Sequence, residues 1–282
     1  MPSTFPNNAP LPASARRLSD WCKLASKKGR RETKQILLEG ARLVAEAIAS
    51  GIHVSAVIIA DEEQGHSAWR KIMSAATKKE IAAFRLSSTD FDKLTDTVHS
   101  AGIVCVMDWI PASFDPMKQS GKLRQALVCD RVSDPGNLGT LIRTAAGLGL
   151  DAVFLLPETA ELTNPKTVRA AAGALFHIPV FENMPPEVIM SWAKREAVPV
   201  IVADAHRGEP SISLGSAKWA LVVGGETIPL DKTWEKVASQ WISLPLQRGV
   251  ESLNAAVAGA IIMDRLCRAS VPERPRPRQH RS

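Results

Sequence analysis

Five polar side chains that could do chemistry fall into three segments of the chain. The first runs Asp130-Arg131-Val132-Ser133-Asp134-Pro135-Gly136-Asn137-Leu138-Gly139-Thr140-Leu141-Ile142-Arg143 and holds Asn137 and Arg143. It reads as strand, tight turn and helix start, where backbone N–H groups without a helical partner are free to meet an anion. The second is Val222-Val223-Gly224-Gly225-Glu226. Its glycines at a strand end let a ligand approach the backbone, and the acid after them is placed to accept a hydrogen bond or a proton. The third runs from Ile242-Ser243-Leu244 to Ser252-Leu253-Asn254 and on to Ala258, a strand and loop leading into a small-residue helix that Ser252 can cap. Each segment also has a purely structural reading. Asn137 could be a helix cap, Arg143 a surface ion-pair partner, Gly224-Gly225-Glu226 a turn with a solvated acid, and the third segment a capped terminal helix. The glycines of the first segment do not follow G-x-G-x-x-G, which argues against a dinucleotide site.

The elements that must hold these segments alternate regularly. The pattern predicts strands at Ala126 to Cys129, Ala152 to Leu156, Val198 to Ala203, Ala220 to Val223 and Trp241 to Leu244, with helices from about Leu138 to Leu148, Pro165 to Leu175 and Ser252 to about Cys267. Asn164-Pro165 is a capping side chain followed by proline at the first helical position. Such alternation implies a parallel sheet covered on both faces, whose ligand sites lie beyond the carboxyl ends of its strands. Upstream, order is expected from about Thr33. There Ile36 to Leu38 lead into helix formers Ala41 to Ala49, followed by a strand Val54 to Ile59, a helix around Ala68 to Ala76 and a strand Ile103 to Met107. This makes a small α/β unit. The stretch Pro111 to Lys122 has the composition of a linker.

At 282 residues and 30.5 kDa the chain suits two modest domains. No apolar run approaches the ~20 residues of a membrane-spanning helix. Cys22, Cys105, Cys129 and Cys267 are widely spaced with no C-x-x-C pair, so neither a disulfide scaffold nor a metal site is expected and a reducing compartment fits. The net charge of +6 resides at the ends. Residues 1–31 carry seven Lys or Arg against Asp20, and residues 265–282 carry six Arg against Glu273. Basic ends suit a polyanionic partner, because Lys and Arg displace counterions condensed on phosphates. Residues 1–31 read as a flexible arm without the apolar core of a secretory signal, and residues 269–282 as a disordered tail.

Taken in order, the three segments resemble the three motifs of the SpoU (TrmH) family of the SPOUT superfamily, RNA ribose 2′-O-methyltransferases that use S-adenosylmethionine. Asp134 to Ala145 (DPGNLGTLIRTA) and Val250 to Ala258 (VESLNAAVA) carry the resemblance most specifically. Ile36 to Ile48 (ILLEGARLVAEAI) and Thr89 to Met107 (TDFDKLTDTVHSAGIVCVM) resemble segments of the family's small substrate-binding domain. The resemblance implies an α/β chain divided into a basic arm (1–31), a small α/β RNA-binding domain (32–108), a linker (109–122), a parallel-sheet SPOUT domain knotted as a trefoil (123–268) and a basic tail (269–282). It implies catalytic roles for Asn137, Arg143, Glu226, Ser252 and Asn254. It places S-adenosylmethionine against Ala203, Val223, Gly224, Gly225, Ile242, Leu244 and Leu253. It further implies a homodimer acting on RNA, ribosomal RNA above all, in the cytoplasm or an organelle matrix, with no metal and no membrane. One departure stands out. The family's second motif has two further glycines after the acid, where this chain has Thr227-Ile228-Pro229-Leu230. That departure motivates a non-catalytic RNA-binding or assembly protein as the alternative; a transfer-RNA substrate is another.

Overall fold

The computed structural model describes residues 10–61, 67–95, 102–212, 216–226 and 228–270. The chain divides into two compact units. One comprises the residues up to Ala112 together with 138–143 and 160–177, and the other comprises the rest.

In the first unit the apolar runs Val54–Ala60 (β3) and Ile103–Asp108 (β5) pair antiparallel at the heart of a five-stranded sheet. Leu11–Pro12 (β1) and Ala83–Leu86 (β4) lie beyond β3, and Gln35–Glu39 (β2) lies beyond β5. Successive residues of a strand point to opposite faces, so β3 supplies two cores. Val57 and Ile59 pack with helices Ala41–Ala49 (α3) and Ser67–Lys78 (α4) through Val44, Ile48, Ile72 and Ala76, whereas Ala56 and Ile58 pack with Trp21, Leu24 and Phe84. Residues 36–38, expected to lead into the helix, belong to β2. Gly40, at φ +101, then turns the chain into α3 in a conformation that favours glycine.

The basic segment expected to be a flexible arm is ordered from residue 10, which corrects the sequence reading. Ser14 caps helix Ala15–Cys22 (α1) by accepting from Arg17 N, and Ser26 caps helix Lys27–Thr33 (α2) by accepting from Gly29 N. Buried Trp21 and Leu24 hold the pair to the sheet. Arg30 is buried and donates to the carbonyls of Leu24 (3.0 Å) and Ala25 (2.8 Å) and to Glu161 Oε2 (2.9 Å). Residues 1–9 of the expected arm and 271–282 of the expected tail lie outside the described residues.

The second unit contains a six-stranded, all-parallel sheet in the order β11-β9-β10-β6-β7-β8. Its strands are Gln125–Asp130 (β6), Ala152–Leu155 (β7), Val180–Phe181 (β8), Val200–Ala203 (β9), Trp219–Gly224 (β10) and Ala238–Ile242 (β11). The chain steps outward from β6 to β8, crosses to β9, and then inserts β10 between β9 and β6. That reversal is where open α/β sheets leave a crevice. Helix Pro186–Arg195 (α8), absent from the sequence reading, buries Ile189 and Trp192 in this unit's core. The stretch read as a linker is held too: Phe114 packs edge-on against Phe154 (5.0 Å), and Ser120 Oγ and Gly121 N donate to Glu196.

Two of the helices that follow strands of this sheet depart from their expected bounds. Pro135–Gly147 (α6) begins three residues before the expected start, with proline in its first turn and Asp134 as its cap. Pro165–Ala171 (α7) stops four residues early because Ala172 turns left-handed at φ +48. A Cβ at Gly139 would lie 2.4 Å from the Thr167 carbonyl, so only glycine lets α6 approach α7 this closely.

Candidate active site

A cavity of about 380 Å³ opens at the carboxyl ends of β9, β10 and β11. Its wall holds the strand ends Ala203, Val223, Gly224 and Ile242, together with Gly225, Leu244 and Leu253. Thus all seven residues expected to meet a cofactor line one space. Asp204, His206, Leu230, Leu246 and Ile262 line it as well. Sequence reasoning missed these, although Asp204 directly follows a predicted strand and so stood where ligand-binding residues gather. Asp204 Oδ1 accepts from the amides of His206 (2.8 Å) and Arg207 (3.0 Å), which shapes this loop.

Three of the five expected catalytic residues form one hydrogen-bonded cluster. Glu226 Oε1 accepts from Asn137 Nδ2 (3.1 Å), Asn254 Nδ2 (3.2 Å) and the Ala255 amide (3.3 Å), and Asn254 Nδ2 also donates to Asn137 Oδ1 (2.8 Å). Residues separated by up to 117 positions meet here. The cap assignments change accordingly. Asp134, not Asn137, caps α6 by accepting from Asn137 N at 2.7 Å. Asn254, not Ser252, caps helix Ala255–Ala269 (α9), its Oδ1 accepting from Ala256 N and Val257 N. Ser252 is exposed and lines the cavity wall. Arg143 is exposed on α6 and pairs with no acid among the described residues, contrary to the ion-pair reading.

The two glycines line the cavity and also serve the packing of the chain itself. A Cβ at Gly224 would sit 2.8 Å from Leu230 Cδ2, and one at Gly225 would sit 2.2 Å from the Arg131 carbonyl. They let the loop after β10 fold back tightly on its own sheet. Of the residues in the motif-two departure, Ile228 and Pro229 line the cavity and Thr227 lies outside the described residues. Among the described residues no three His, Cys, Asp or Glu side chains gather as a metal site would require.

Residues 124–264 match the family model described as the SpoU rRNA Methylase family, and residues 16–105 match that of the MRM3-like substrate binding domain. The chain is 35% identical over 252 residues to the 23S rRNA (guanosine(2553)-2′-O)-methyltransferase RlmP of Bacillus subtilis, covering 89% of this chain and 96% of that protein. It belongs to the SpoU rRNA methylase family. Among other SpoU relatives, the human mitochondrial rRNA methyltransferase 3 is 25% identical, with 88% of this chain and 71% of that protein covered. In fold the chain resembles the AdoMet-bound rRNA methyltransferase of Sinorhizobium meliloti, with a TM-score of 0.80, 22% identity and coverage of 94% and 99%. It also resembles the SpoU methyltransferase AviRb of Streptomyces viridochromogenes in complex with AdoMet, with a TM-score of 0.75, 23% identity and coverage of 91% and 98%. The α/β fold and substrate-binding module expected from the sequence are therefore those of this family.

Proposed function

We propose that this protein methylates a ribose 2′-hydroxyl in ribosomal RNA, using S-adenosylmethionine held in the cavity at the ends of β9, β10 and β11. The observation that carries the reading is the convergence of Asn137, Glu226 and Asn254 beside that cavity in a SpoU family chain. The cavity suits such a cofactor: its volume lies in the ~300–1,000 Å³ range of small-molecule sites, and its wall joins apolar strand ends to the acids Asp204 and Glu226, which favour a cation. The bound cofactor supplies a methyl group made electrophilic by its sulfonium. The chain's part is to orient the ribose and manage the hydroxyl proton. A guanidinium holds its protons too tightly to be a good base, so Arg143 is assigned to gripping the adjacent phosphate and stabilising the developing alkoxide. Mapping ribose methylation in ribosomal RNA from cells lacking the protein tests the reading: one 2′-O-methyl group should vanish and return only with the wild-type gene. A ribosomal RNA methylation pattern that stays complete would overturn it.

Glu226 is assigned to organising this cluster, because its Oε1 meets three N–H groups. Glutamine keeps that acceptor and alanine does not. Glu226→Ala should therefore lower methyl transfer by about 100-fold, while Glu226→Gln stays within about tenfold of wild type. Equal losses in both variants would instead make the carboxylate the proton acceptor.

The RNA is assigned to the basic face of α1 and α2, where Arg16, Lys27, Arg31 and Lys34 are exposed. Replacing these four with glutamine should weaken RNA binding and flatten the plot of log affinity against log salt by up to ~3, leaving cofactor affinity unchanged. An unaltered slope would make them solvating charges. The protein is further assigned as a homodimer whose second unit carries the trefoil knot. The support is the partly apolar exposed face of α9, where Val257 and Ile261 are 47% and 36% exposed. Sedimentation should give about twice 30.5 kDa, and Ile261→Glu should halve it. Its place is wherever its ribosomal RNA is made, the cytoplasm or an organelle matrix.

A further inference from the structure

Asp130 ends β6, is 1% exposed, and is not among the residues lining the cavity. A buried carboxylate is costly unless donors saturate it, and this one is saturated. Its Oδ1 accepts from Arg131 Nε at 2.8 Å, and its Oδ2 accepts from Arg131 Nη2 (3.3 Å), the Asp231 amide (2.8 Å) and Trp234 Nε1 (2.9 Å). Its carbonyl accepts from the Gly225 amide at 3.1 Å. One residue therefore ties down both ends of the loop 225–231, and the stretch between those ties supplies Glu226, Ile228, Pro229 and Leu230 to the cavity wall. Trp234, fully buried, fixes the far end, and Asp231 caps the short helical turn that carries it by accepting from Thr233.

We propose that Asp130 is a positioning residue for the cofactor: by clamping the loop at Gly225 and at Asp231 and Trp234, it preforms the cavity wall and keeps Glu226 within reach of Asn137 and Asn254. A wall already in place spares the binding step the cost of ordering it. The inference rests on the cavity being the S-adenosylmethionine site.

Two variants test it in the full chain. Asp130→Asn places an amide where Arg131 donates, and Trp234→Phe removes a single N–H while keeping an aromatic ring in the core. Titration calorimetry with S-adenosylmethionine should show Kd raised about tenfold in Trp234→Phe and about 10- to 100-fold in Asp130→Asn. The apparent KM for cofactor should rise more than kcat falls. In cofactor-free protein, amide exchange should quicken across residues 224–236 but not in β3 or β5. If Asp130→Asn does not fold, Trp234→Phe decides alone. A folded variant that binds cofactor with wild-type affinity and shows unchanged exchange in this loop overturns the proposal. Wild-type protein that takes up no S-adenosylmethionine would overturn the functional reading instead, and exchange would then decide the clamp by itself.

Discussion

Replacing Arg143 with alanine is expected to cut methyl transfer by about 100- to 1,000-fold, the effect typical of removing a donor aimed at developing negative charge. The melting temperature and the affinity for S-adenosylmethionine should stay at wild-type values. The separation follows from the side chain's surroundings: Arg143 is exposed and pairs with no acid among the described residues, so its removal strands no partner and opens no core. Lysine should rescue little, because it lacks the planar fork that can hold a phosphate and a second oxygen together. Single-turnover assays with saturating cofactor, run beside thermal melts, make the comparison. Normal turnover in Arg143→Ala, or a collapsed melt, would remove the residue from the catalytic assignment.

A loss of similar size, but in stability, is expected of Arg30→Ala. Removing one partner of a buried ion pair costs about 3–5 kcal/mol. Here it would also orphan the Leu24 and Ala25 carbonyls and leave Glu161, whose side chain is 14% exposed, with the Thr163 hydrogen bond and the more distant charge of Lys27. Burial pushes the Glu161 carboxyl up, but the hydrogen bonds from Thr163 and Arg30 outweigh it and hold the group below its usual range. The sign is that of a depressed acid. Its stabilisation is present in full above the ordinary glutamate value and is lost as pH falls through the lower folded value. Urea unfolding should therefore show wild type and variant well separated at neutral pH and the gap narrowing in acid, down to the share carried by the carbonyl bonds. A gap that is constant with pH would mean that Arg30 acts through packing and its two carbonyl bonds, without the Glu161 pair.

The sequence revealed the parallel sheet because its strands are continuous apolar runs, and it pointed to the candidate site because Asn137 and Glu226 follow such runs while Asn254 stands in a stretch that resembles a family motif. What it hid depended on partners far along the chain. Residues 36–38 read as the entry to a helix, since nothing near them shows that β5, some 70 residues on, pairs with them. Prolines and positive charge made residues 10–31 look loose, yet Leu18, Trp21 and Cys22 recur at helical spacing behind a serine cap and were legible as an amphipathic turn. Ser252, read as the α9 cap, lies two residues before Asn254, which holds that position. Only the backbone decides between them, and it chose the one that Glu226 also needs. Asp130 escaped notice because a single acid at a strand end has no pattern until Trp234, 104 residues later, folds onto it.

The cap of α9 also sets a condition on biosynthesis. Asn254 at once starts that helix and completes the cluster with Asn137 and Glu226, and Trp219 Nε1 donates to Ser270 Oγ at the helix's other end. A nascent chain that has made the sheet through β11 therefore has Asn137 and Glu226 without the third member of their cluster. The proposed site is complete only after α9 has left the ribosome and docked, and a chain truncated before Asn254 is expected to lack methyl transfer in an assay with ribosomal RNA.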